Sequence, residues 1–211
     1  MNDIVFIILL VLAGVLAFAL TIYVINLVRK GRGGSAPQKE KKPGNLPDDE
    51  HKGAEAVVRQ LRRYAALHEY KVVAPVAVTG VHGTTDLDAV LVGWFGVLGV
   101  KCLGYGGEVY GSPDEAEWVQ TVNGARRKFK NPIARSKQSG LVLRDALFAA
   151  GLKSVPVETV VVFTGKRVQL ALPRSTGHYT EKSFSAYLKS SRFEEDKKIQ
   201  VEPVAAAFTQ G

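Results

Sequence analysis

Asp86 and Asp88 stand two positions apart in Thr85-Asp86-Leu87-Asp88-Ala89. Alternate positions of an extended chain share a face, so the two carboxylates are placed to present oxygen ligands to one divalent cation. A structural alternative stands beside this: Asp86 capping a turn at Thr84-Thr85, and Asp88 held by a buried arginine. Glu55 is a third candidate acid. It is equally placed to pair with Arg59 at i,i+4 or to favour the positive end of a helix. Glu108, beyond a glycine-rich connection, fits a surface role better than a ligand role. Arg126, Arg127, Lys128 and Lys130, with Phe129 among them, form the densest basic cluster. Such a cluster serves either as solvated surface charge or as a set of phosphate contacts, with Phe129 available to stack on a base.

Other chemistries are poorly supported. Cys102 is the sole cysteine and the four histidines show no metal-ligand spacing, so a zinc cluster and an internal disulfide are excluded. Gly104-Tyr105-Gly106-Gly107 lacks both the Gly-Lys-Ser/Thr and the full GxGxxG pattern of nucleotide loops.

The elements that must hold these residues read as mixed α/β. Val57, Val58, Leu61, Tyr64 and Ala65 lie at helical spacing within a helix over 53–67. A Val-rich strand follows over 71–78, with Pro75 marking an edge or a bulge, and then a turn over 80–85. The apolar runs 87–93 and 96–102 read as strands buried on both faces, joined near Trp94 and Phe95. A short strand over 108–110, a polar stretch over 114–130 and a helix over 132–149 come next. Strands over 157–163 and 168–172 and a short helix over 181–190 complete the series.

The chain has 211 residues and a formal net charge of +8. Residues 4–28 carry no charge and are long enough to cross a bilayer as a helix. Arg29, Lys30, Arg32, Lys39, Lys41 and Lys42 follow directly, whereas only Asp3 and the α-amino group precede. The charge bias predicts a single-pass anchor over 1–30 with the remainder on the cytoplasmic side of the cell membrane. A Gly/Pro-rich linker over 31–50 leads to an α/β domain over 51–175 and a C-terminal helix and tail over 176–211.

Taken in order, Gly53-Ala54-Glu55, Thr85 to Val92, Gly96 to Gly111, Trp118, Asn131-Pro132-Ile133 and Val155 to Phe163 resemble the nuclease-related (NERD) domain family. The resemblance covers residues 51 to 172. It implies a restriction-endonuclease-like mixed sheet flanked by helices and a Mg²⁺-dependent phosphodiesterase centre. Asp88 matches that family's first metal-binding acid and Glu55 its helix glutamate. The second acid and a lysine two residues beyond it belong on the strand over 96–103. A gapless register puts Lys101 at the acid and Leu103 at the lysine; a two-residue shift keeps Lys101 as the lysine but puts Gly99 at the acid. Either way a carboxylate is missing. The family's glutamine after Asn-Pro is also absent, with Arg135 nearby.

Exchanging a carboxylate for an ammonium alters the local charge by two units. Each unit pair is worth about 4 kcal/mol at 4 Å and an effective dielectric of 20. The expectation is therefore an impaired module with no resident cofactor, binding nucleic acid or a protein partner. In the competing expectation Mg²⁺ is bound, Glu55, Asp88 and Lys101 are catalytic, and an acid such as Glu108 replaces the lost carboxylate.

Overall fold

The computed structural model describes residues 47–173 and 177–209. The anchor over 4–28 and nearly all of the linker lie outside the described residues. No described helix is long and apolar enough to cross a membrane.

The centre is a five-stranded mixed sheet, here with β1 (Lys71–Val73), β4 (Ala89–Gly93), β5 (Gly96–Leu103), β9 (Val157–Phe163) and β11 (His178–Thr180) side by side in that order. β4 is antiparallel to both β1 and β5, whereas β9 is parallel to β5 and β11 to β9. β4 is buried at every position and β5 at all but Lys101 and Leu103, as expected for strands covered on both faces.

Alternation along β5 sorts its side chains between two cores. Leu98, Val100 and Cys102 meet Val57, Leu61 and Ala65 of helix α1 (Pro47–His68), together with Phe184, Leu188 and Phe193. Val97 is on the opposite face, where Leu143 and Leu147 of helix α2 (Pro132–Ala149) pack with Val90 and Val92. Two further pieces border the sheet. One is the hairpin of β2 (Val76–Gly80) and β3 (Gly83–Leu87). The other is a four-stranded sheet ordered β10 (Gln169–Ala171), β6 (Glu108–Tyr110), β7 (Glu117–Val122) and β8 (Ala125–Lys130). Its inner face buries Val109, Trp118 and Phe129 against Ile133, Val161 and Phe163.

Several expectations are corrected. The run 71–78 is two strands in different sheets, because Ala74 and Pro75 interrupt it and proline has no N–H for a ladder. The turn expected over 80–85 is only Val81-His82; Thr84 and Thr85 are paired in β3. The polar stretch over 114–130 contains the β7–β8 hairpin. α1 begins at Pro47, inside the expected linker. The C-terminal region is not an appended tail: β11 extends the main sheet, and helix α3 (Glu181–Tyr187) buries Phe184 in one core. The last helix, α4 (Val201–Ala206), buries Val204 and Ala205 in the other, followed by Phe208.

The β4–β5 turn is fixed by Gly96, whose φ of +121° is open to glycine and whose missing Cβ would fall against the Pro156 carbonyl. Gly96→Ala is expected to lower the unfolding free energy by about 2 to 4 kcal/mol, from backbone strain plus overpacking. Urea unfolding checks this, and a loss under roughly half a kcal/mol, the range of a neutral surface change, would contradict it.

Candidate functional site: an ion-paired cleft at the end of the central strand

Lys101, near the end of β5, and Asp88, between β3 and β4, meet because β4 and β5 pair without interruption from Gly93–Gly96 to Ala89–Val100. The Asp88 N–H then donates to the Val100 carbonyl at 3.0 Å. The Asp88 carboxylate in turn accepts the Cys102 N–H at 2.6 Å. Lys101 projects on the same face of β5 as Val97 and Gly99, toward α2. Its Nζ donates to Asp86 Oδ2 at 2.6 Å and lies 3.8 Å from Asp88 Oδ2. Arg135, in the first turn of α2, donates to the other oxygen of Asp86 at 2.9 Å.

Asp86 is brought there by the β2–β3 hairpin, which is pinned along α2. The Thr85 hydroxyl donates to Ser139 Oγ at 2.7 Å, and Gln138 Nε2 donates to the His82 carbonyl at 2.6 Å. The His82 N–H donates to Asp145 Oδ2 at 2.8 Å. Arg135 is set by the start of α2. Asn131 caps the helix by accepting the Ile133 N–H at 2.9 Å. Its amide donates back to the Glu115 carbonyl at 2.7 Å and the Pro113 carbonyl at 2.9 Å, joining the loop before β7 to the helix.

Asp86, Asp88 and Lys101 line an open cleft of about 590 Å³. Val73, Pro75, Val76 and Leu87 supply an apolar wall, and Phe208 and Thr209 from the C-terminal segment close one side. Asp86 is 60 % exposed at its side chain, Asp88 26 % and Lys101 28 %. The hydrogen bond from Lys101, with the charges of Lys101 and Arg135, holds the Asp86 carboxyl below its ordinary range despite some desolvation.

Both structural alternatives for the two aspartates are corrected here. Asp86 caps no turn but bridges two cations, and Asp88 is held by a backbone N–H and a lysine rather than by an arginine. Glu55 follows its structural alternative: it is 71 % exposed and pairs with Arg59 at 3.9 Å. Glu108 sits on β6 in the four-stranded sheet and accepts from the Tyr110 hydroxyl. Among the described residues, no three His, Cys, Asp or Glu side chains are grouped to hold a metal ion. A side chain at Gly99 would meet Leu143, Leu87 and Thr159 at 3.0 Å, so that position is packed beneath α2. Leu103 packs against the apolar cluster around Trp118 and Phe163.

Arg126, Arg127, Lys128 and Lys130 lie on β8, an edge strand, and all four are exposed. Arg126, Lys128 and Lys130 share its outward face, where Lys128 pairs with Glu117 at 3.4 Å. Arg127 takes the other face with buried Phe129 and lies 5.8 Å from the Tyr105 ring centre. Phe129 is therefore part of the core and not available for stacking on a base.

Asp86 yields a pH prediction. A carboxyl with a lowered folded pKa contributes stability above its unfolded value, about 4, and loses it as pH falls through the folded value. The stability gap between the native chain and Asp86→Asn is thus expected at neutral pH and should close as pH falls through the lowered folded value. Denaturant unfolding at a series of pH values measures it; a gap that persists in acid would show that the ion pairs are not its source.

No curated protein and no solved structure matches the chain. A family model does, that of the nuclease-related domain, over residues 49–164. The match spans α1 through β9 and the residue after it, taking in Asp86, Asp88, Lys101, Arg135 and the β8 basic strand. On that match, over more than half of its length, the chain belongs to the nuclease-related domain family.

Proposed function

We propose that this chain is a membrane-anchored, restriction-endonuclease-like module that has lost efficient hydrolysis and acts by binding nucleic acid on the cytoplasmic side of the cell membrane. The observation that carries the reading is the Lys101 ammonium between Asp86 and Asp88, 2.6 and 3.8 Å from their oxygens. A nuclease of this family would hold Mg²⁺ with adjacent carboxylates, and the metal would polarise the phosphoryl group and activate water. Here the oxygens that would face the ion already face a fixed cation, and Arg135 adds a second. Mg²⁺ surrenders its water reluctantly and needs a strongly negative site to do so. The donor set does not fit it.

The gapless register supports the same reading. β5 pairs with β4 over Gly96–Val100 and with β9 over Val97–Leu103, and neither ladder has a bulge to absorb a two-residue shift. In that register Lys101 occupies the acid position and Leu103, packed among apolar groups, the lysine position. Asp88 keeps the place of the first acid, whereas Glu55 is turned to Arg59. The membrane reading rests on the uncharged run 4–28 and the basic residues after it. The nucleic-acid reading rests on the family and on β8, whose outward cations suit a phosphate backbone.

Lys101→Glu restores a second carboxylate beside Asp88, and a gain of Mn²⁺ binding over the native chain is expected by calorimetry. Mn²⁺ binding or DNA cleavage by the native chain that is abolished by Asp88→Ala would overturn the impaired reading in favour of an active phosphodiesterase. For the basic strand, replacing Arg126, Arg127, Lys128 and Lys130 by Ala should weaken single-stranded DNA binding and flatten its salt dependence. An unchanged salt slope would instead leave a protein partner as the ligand of this module.

A further inference from the structure

The Asp86 carboxylate occupies an unusual place: each of its oxygens takes a hydrogen bond from a different cation, Oδ1 from Arg135 and Oδ2 from Lys101. The two cations come from different elements, α2 and β5. They converge on one anion at the mouth of a cleft, whereas exposed ion pairs are usually isolated. We propose that Lys101 and Arg135 form a metal-free receptor for a nucleic-acid phosphodiester, and that Asp86 is a built-in surrogate which the phosphodiester displaces. This rests on the reading that the centre has lost its metal chemistry.

Three features favour that ligand. The first is shape. A phosphodiester offers two non-bridging oxygens on one phosphorus, as the carboxylate offers two on one carbon, so it can take both hydrogen bonds. The second is charge. With Asp86 turned to solvent, the charges of Lys101, Arg135 and Asp88 sum to one net positive charge, which meets the single negative charge of a diester. The third is the wall beside the charges. Val73, Pro75, Val76 and Leu87 give a sugar or base an apolar surface, which inorganic phosphate cannot use.

Displacement is easy because the surrogate is held at the surface. Asp86 is 60 % exposed and Arg135 74 %, and exposed ion pairs are weak. Asp88, by contrast, is tied to the Cys102 N–H and stays in place. Asp86 therefore lowers affinity for any anion and sets a threshold that a multiply contacting chain can exceed. The β8 cations lie outside this receptor and contribute separately.

The test uses the full-length chain in neutral detergent, with a short fluorescein-labelled oligodeoxythymidylate, EDTA throughout and anisotropy as the readout. Lys101→Met and Arg135→Ala should each weaken binding roughly tenfold, the loss of one charge-assisted hydrogen bond. Asp86→Ala should tighten it severalfold, and Lys101→Arg should retain most of it. Asp114→Ala and Lys182→Met, which change the charge equally at exposed positions elsewhere, should have little effect, and thermal unfolding checks that each variant is folded. Inorganic phosphate should compete only weakly.

The inference fails if Lys101→Met binds no worse than Lys182→Met, or if Asp86→Ala binds no better than Asp114→Ala. Competition by soluble short-chain phosphatidylglycerol at lower concentration than by unlabelled oligonucleotide would also overturn it, by making a lipid headgroup the preferred diester. Mg²⁺-dependent cleavage would refute the impaired-nuclease reading alone, since the EDTA measurements decide this proposal independently.

Discussion

The contact on which the chemistry of this domain turns is that of one ammonium group with two carboxylates at the end of the central strand. An ion pair this open to water adds little to folding. Its weight is functional, because a site is defined by the charge it presents to an incoming group. Two aspartates without Lys101 would present a strongly negative cleft. With Lys101 and Arg135 in place the same cleft is close to neutral, and anions gain what cations lose.

Holding that arrangement takes most of the fold. β5 is held by β4 as far as Val100 and by β9 through Leu103, and this pairing aims Lys101. Asp86 depends on a two-stranded hairpin too small to be stable alone. α2 supplies what the hairpin lacks, gripping it through Ser139, Gln138 and Asp145. The Asn131 clamp sets the start of α2 and hence Arg135. The site is therefore as rigid as the contact between hairpin and helix, more than as the sheet itself.

The buried centre was legible in the sequence. Residues 89–93, 96–103 and 157–163 are apolar runs of strand length, and Asn131-Pro132 announces the start of α2. In the four-stranded sheet β6 and β10 are legible as short strands, whereas β7 and β8 are not, because their inward face is one residue in two and partly polar. In β8 only Phe129 marks it, and in β7 Gln120 alternates with Trp118. The placing of Asp86 is hidden for a related reason: Gly80, Gly83 and the threonines between strands look like a loop, and only cross-strand pairing shows a hairpin. Asp88 and Lys101 were found through family likeness. Arg135 carries no local signal beyond its place near the missing glutamine, since nothing local in a helix tells which distant carboxylate an arginine will meet. The C-terminal segment gave no sign that it belonged to the core, because Phe184, Phe193, Val204 and Phe208 are too scattered for any period.

Phe208 and Thr209, which wall one side of the cleft, are far along the chain from Val73 and Pro75, which line it too. A pocket lined by residues so distant in sequence takes shape only once the segment carrying α4 has docked on the sheet, so a local opening that frees that segment also unmakes the pocket.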